Sequence, residues 1–261
     1  MTRRFALMLG ALLTTTSVVL AACQTAPAAP LLTDPKEILT ESVVSLKDLT
    51  TVEFTGSFNG TLEAAELGGT FDLSTIKITG ALDIPNKKAK FNVDAPTLMG
   101  TKIDAIVLED AAYLKIDGML SAMMGGTPGK YTKTDIPADA GEPINDPAEI
   151  AKAIDEFRTA LDQLPTAPTK SADQQCGDQT CYVVTLTMSA EDLAALDPTG
   201  VAATETGDMT LELWTRQNDR LPAKLTMSVT SPDIGTVGTT FDFRYGGSVS
   251  VEAPPAAEIA P

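Results

Sequence analysis

The chain has 261 residues, 43% hydrophobic and only 5% aromatic, with 19 basic and 35 acidic side chains and no histidine. A formal charge of −16 repels phosphodiester backbones, whose binding depends on basic groups that release counterions, and so excludes nucleic acid as a partner. The missing histidine removes Ser-His-Asp and Cys-His catalysis and most zinc geometries, which leaves a chain read as a non-enzyme with no cofactor and no metal.

Residues 1–22 are built like an export signal. Arg3 and Arg4 supply the charged start, Phe5 to Leu20 carry no charge, and Leu20-Ala21-Ala22-Cys23 closes the segment as a lipobox. An apolar run of about 16 residues falls short of the ~20 that a spanning helix needs. In a signal of this kind the Cys23 thiol receives diacylglycerol and cleavage leaves Cys23 first. The expected mature protein is exported and held by lipid on the extracytoplasmic face of the cell membrane. Without Arg3 and Arg4 it carries 17 basic against 35 acidic side chains, or −18, so anionic headgroups add nothing to anchoring. Residues 23–33 read as a polar, proline-containing tether, of which ten flexible residues span roughly 15–20 Å.

Residues 34–254 read as one folded domain and 255–261 as a C-terminal tail. Asp34-Pro35-Lys36-Glu37 has the aspartate cap, the proline at the first helical position and the acidic first turn of a helix, which Leu39, Val43 and Leu46 continue. Val52, Phe54 and Phe58 then alternate as a strand. Phe71 to Thr79 also reads as strand, which sends Ser74 and Lys77 to opposite faces and removes the catalytic use that Ser-x-x-Lys spacing has on a helix. Ala89, Phe91 and Val93 alternate in turn. Met119, Leu120, Met123 and Met124 before Gly125-Gly126 fit either an adaptable cavity mouth or a short core helix with a glycine cap.

Asp146-Pro147-Ala148-Glu149 repeats the first capping pattern, and Ile150, Ile154, Phe157, Leu161 and Leu164 form one apolar helical stripe that stops before Pro165. Cys176 and Cys181 remain as a pair once Cys23 is lipidated. An oxidising compartment and the lack of further soft ligands favour a structural disulfide over a metal or redox site. A short helix is expected from Ser189. Further alternating strands carry Met209, Leu211 and Leu213, then Leu225, Met227 and Val229, then Phe241, Phe243 and Tyr245. About ten strands against two substantial helices make an α+β fold, and glycines such as Gly56, Gly60, Gly80 and Gly246 are expected at bulges or bends of a strongly curved antiparallel sheet.

The order of these features resembles that of the LppX/LprG lipoproteins, within the wider LolA-like group of lipoprotein carriers. The matching pieces are the opening helix into Val52-Glu53-Phe54-Thr55-Gly56, Ala112-Tyr113-Leu114-Lys115 with Gly129-Lys130-Tyr131-Thr132-Lys133, Leu211-Glu212-Leu213-Trp214 leading to Arg220-Leu221-Pro222-Ala223-Lys224, and the closing Phe241-Asp242-Phe243-Arg244-Tyr245-Gly246. The resemblance implies a curved antiparallel β half-barrel whose concave face, covered by helices, holds the acyl chains of a lipid or glycolipid. Candidate cavity residues are Phe54, Phe58, Phe91, Val93 and Leu213 on strands, Ile150, Ile154, Phe157 and Leu161 on the second helix, and Met123 at the mouth. Small strand residues leave room, and a dry apolar pocket takes apolar ligands. The alternative is a structural or signalling envelope lipoprotein with a filled core that binds another envelope protein. The Cys176/Cys181 loop maps onto no function of that family.

Substituting Cys23→Ala should leave the precursor uncleaved and without the diacylglycerol mass. Membrane partition with that mass intact, read by mass spectrometry, would overturn the lipobox assignment.

Overall fold

A computed structural model describes residues 30–64, 69–119, 121, 127–136, 147–192, 207–231 and 235–260. Helix α1 (Pro35–Val44) starts as its sequence dictates: the Asp34 carboxylate accepts from the Lys36 backbone N–H at 2.9 Å and Pro35 occupies the first turn. Helix α2 spans Pro147–Gln163; its expected cap, Asp146, lies outside the described residues.

Apart from short helical turns, the remaining described elements are strands: β1 (Thr51–Asn59), β2 (Thr61–Ala64), β3 (Gly69–Asp72), β4 (Lys77–Asp83), β5 (Lys88–Ala95), β6 (Thr101–Val107), β7 (Ala111–Asp117) and β8 (Thr132–Asp135) before α2, then β9 (Thr169–Lys170), β10 (Gln174–Cys176), β11 (Gln179–Met188), β12 (Asp208–Arg216), β13 (Pro222–Ser231) and β14 (Gly235–Tyr245). Twelve of them form one open sheet, in the order β10-β11-β12-β13-β14-β1-β4-β5-β6-β7-β8 with β9 beside β11, while β2 and β3 pair separately. The architecture is α+β, a large antiparallel sheet curved as a half-barrel. Its strand count exceeds ten because β2, β3, β9 and β10 are only two to four residues long, too short to show a period of two.

The register sorts the sheet into two unlike faces. One row runs Val184↔Leu213↔Leu225↔Phe241↔Gly56↔Ile78↔Val93↔Ile103↔Ile116, so nine consecutive strands turn apolar or small residues to the same side. The neighbouring row on the other side runs Lys224↔Asp242↔Thr55↔Thr79↔Asn92↔Asp104↔Lys115 and is wholly polar.

Gly56 and Gly80 are seats for rings and not bends. A Cβ on Gly80 would lie 2.2 Å from the Phe54 ring, and one on Gly56 would lie 2.7 Å from the Phe241 ring. Phe91, Phe54, Phe241, Phe243 and Tyr245 follow one another at centroid spacings of 6.0, 6.0, 6.5 and 6.4 Å. The register shift falls instead at Trp214/Thr215, with no glycine present. Ser74 also departs from the strand reading: Leu73–Thr75 is a 3-10 turn capped by Asp72, and hydrogen bonding from the Ser74 side chain and then from its N–H holds the Asp72 carboxyl below its ordinary pKa.

Both helices pack at the β11–β12 end of the apolar face. Ile38 and Leu39 of α1, Leu161 of α2, and Tyr182 and Val184 of β11 are buried together, with Leu32, Phe157 and Leu213 against them. Tyr182 ties this cluster to the chain around it, its hydroxyl accepting from the Leu32 N–H at 2.9 Å and from Arg220 Nη1 at 3.1 Å. A second cluster joins Leu73, Ile76 and Ala95 to Phe58 and Val93. At the far end, Tyr131 pairs with Ile259, and the Tyr131 N–H donates to the Glu258 carbonyl at 2.7 Å, which docks the C-terminal residues.

Gly80→Ala should destabilise the fold by about 1–3 kcal/mol, because the Phe54 ring that must move is already flanked by Phe91 and Phe241. Urea unfolding measures this. An unchanged midpoint would mean that the ring row is loosely held.

Candidate functional site

The sequence-predicted cavity residues share one face but not one place. Phe54 and Phe91 belong to the half-buried ring row in the middle of the sheet. Phe58 and Val93 pack with Leu73 and Ile76, and Leu213 joins Phe157 and Leu161 beneath the helices. Ile154 is buried on α2. Ile150 lies in α2 without a described side chain, and Cys23 and Met123 lie outside the described residues. The helical stripe therefore meets β11 and β12, because α1 wedges Ile38 and Leu39 against the same two strands.

A recess of about 1080 Å³ opens on the opposite, polar face. Its lining comes from Trp214 and Arg216 on β12, Lys224 on β13, Asp242 and Arg244 on β14, Glu53 and Thr55 on β1, Lys90 and Asn92 on β5, and Asp104 and Ile106 on β6. Tyr131 and the turn from Gln175 to Gln179 complete it. Phe54, Gly80, Phe91, Ala105 and Phe243 border it from within their strands, since by register their substituents belong to the other side.

Asp104 organises one end. It accepts from Asn92 Nδ2 at 2.5 Å and pairs with Lys115 Nζ at 2.9 Å; that bond raises the Lys115 pKa, and the ammonium sits 4.8 Å from the Tyr131 ring centroid. Near the other end, Lys224 Nζ lies 4.4 Å from the Trp214 ring centroid, and the indole N–H donates to Glu212 at 2.6 Å. The Cys176–Cys181 disulfide, with Cα atoms 5.9 Å apart, closes the β10–β11 hairpin whose turn forms a wall of the recess. Cys181 is fully buried, and the neighbouring Gln179 Oε1 is buried without a hydrogen-bond partner.

Sequence reading missed this recess because its polar side chains alternate with the apolar ones and so read as solvated. The usable signal was Trp214, an indole out of phase with Leu211 and Leu213. Among the described residues no cluster of metal-ligating side chains occurs, and no helix is long and apolar enough to cross a membrane.

No family model matches the chain, and no curated protein matches it. Among solved structures, the chain is similar to the lipoprotein LppX of Mycobacterium tuberculosis, at 13% identity over 84% of this chain and 98% of that one, with a TM-score of 0.46. It is also similar to LprF of Mycobacterium bovis, at 17% identity over 84% and 96% with a TM-score of 0.49. MucB is similar at 12% identity over 86% of this chain but 63% of its own length, with a TM-score of 0.39.

Replacing both Cys176 and Cys181 with serine should lower the melting temperature by roughly 4–8 °C, since closing so short a loop is worth about 2 kcal/mol. Non-reducing peptide mapping of the parent should find the two cysteines in one linked fragment. A melting curve that does not move would remove the stabilising role.

Proposed function

We propose that this chain is an exported, lipid-anchored envelope lipoprotein that takes the acyl chains of a lipid or glycolipid onto the apolar face of its sheet and carries or presents that lipid. The observation that supports the reading is the apolar row across nine strands, with a half-buried ring row at its centre and the helical cluster at the β11–β12 end. A contiguous apolar surface of this kind is a binding surface for apolar ligands. Each buried methylene contributes about 0.8 kcal/mol, so ten of them supply about 8 kcal/mol before ordering costs. The Cys23 anchor keeps that surface beside the membrane from which the lipid comes. The tether lets it move.

Ala105→Trp tests the reading. Ala105 is half-buried opposite Phe91, outside the Leu73 cluster that already packs Val93, so an indole there takes up acyl space more than core space. Organic extraction of the purified full chain, followed by mass spectrometry, should recover non-covalent lipid from the parent and little from the variant, with melting temperatures within a few degrees. No lipid from the parent, together with a variant destabilised by more than about 3 kcal/mol, would replace this reading with a filled core that binds another envelope protein.

A further inference from the structure

We propose that the recess on the polar face is a second ligand site, separate from the acyl surface, and that it binds an uncharged oligosaccharide. Its lining holds four acidic and four basic side chains. On a protein of formal charge −16 this is a locally neutral patch, which selects against both polyanions and polycations. An acyl chain would have to desolvate those charges with nothing to pair them, which makes it the wrong occupant. A ligand dense in hydroxyls fits, because each hydroxyl donates once and accepts twice and can serve carboxylates and guanidinium groups together.

Asp104, Arg216 and Lys90 are held by Lys115, Asp219 and the Ser250 carbonyl, but two couples of opposite charge are left available. Lys224 faces Asp242 and Arg244 faces Glu53 directly across adjacent strands, where opposite charges ordinarily pair. Among the described residues neither couple closes into an ion pair, and the side chains of Asp242, Arg244 and Glu53 carry no hydrogen bond to the fold. Trp214 adds an aromatic ring on a strand; Lys224 Nζ lies 4.4 Å from its centroid, and a sugar ring presents an apolar C–H face that can take the place of that ammonium. The disulfide gains a role here: it clamps the hairpin that supplies one wall and sets Gln179, with its unpartnered buried oxygen, at the recess.

Trp214 is the single tryptophan of the chain, so intrinsic fluorescence reports on this site alone. The purified full chain should be titrated with maltotetraose and with N-acetylchitotetraose, both uncharged, then with palmitate and with a mixed-charge decapeptide. A saturable change in Trp214 emission with at least one saccharide is expected. It should weaken about tenfold or more in Asp242→Ala/Arg244→Ala and persist when palmitate is present. Both side chains are exposed, so the variant should melt as the parent does. The Cys176→Ser/Cys181→Ser protein should also bind more weakly at a temperature where it is folded. No saturable response to either saccharide, or equal binding by the Asp242/Arg244 variant, would overturn the proposal; a response to the peptide alone would overturn it in favour of a protein-binding recess. Loss of lipid binding in Ala105→Trp with saccharide binding intact separates this site from the acyl surface.

Discussion

The antiparallel register is the constraint on which the rest of the molecule depends. Side chains alternate with a period of two, so one residue of slip in any strand would turn its apolar set to the polar side. From β11 to β7 the pairings hold phase closely enough that Val184 and Ile116, at the two ends of nine strands, belong to one row. Along that path the ladder shifts at Trp214/Thr215. The shift falls near the end of β12, where the chain is about to turn, and just beyond it the Arg216 guanidinium lies 5.1 Å from the Tyr245 ring centroid while Trp214 lines the recess. Burial pushes the Tyr245 hydroxyl well above its ordinary pKa, which keeps the end of the ring row neutral beside that cation.

Within this frame, glycine controls the height of the apolar face. Phe54 lies over Gly80 and Phe241 over Gly56, so the rings rest on the sheet where side chains would otherwise stand. Low rings leave depth above them. The helices fill depth at the β11–β12 end through Ile38, Leu39 and Leu161, and the Leu73 turn fills it beside Phe58 and Val93. The stretch between, carrying Phe54, Phe91 and Ala105, is where the proposed acyl site lies.

Local features were legible in the sequence and convergent ones were not. Asp34-Pro35 announced α1, and alternation correctly placed Phe54, Phe91 and Leu213 on one face, because capping and pleating are decided within a few residues. Alternation could not say that Leu213 would meet the helices while Val93 met Leu73; that depends on which strands become neighbours. Ser74 was misread because a capped 3-10 turn interrupts two strands whose flanks look continuous. The recess was the least legible feature. Its walls come from β12, β13, β14, β1, β5 and β6 and from a hairpin, and apart from Trp214 they contribute mostly polar residues that would be unremarkable alone.

Keeping Lys224 apart from Asp242 and Arg244 apart from Glu53 costs the fold little. Exposed ion pairs are worth about 0–1 kcal/mol, against a burial of apolar surface that each strand of this sheet supplies many times over. The two faces are thus stabilised by different physics. The apolar face is held by burial and ring packing, which an acyl chain can share without breaking, because the attraction is non-directional. The polar face is held by backbone pairing and by local side-chain bonds such as Asp104–Lys115, while Asp242, Arg244 and Glu53 keep side chains that can satisfy a directional ligand. Occupancy of one face leaves the forces of the other untouched, so a lipid on one side and a sugar on the other are compatible loads for the same sheet.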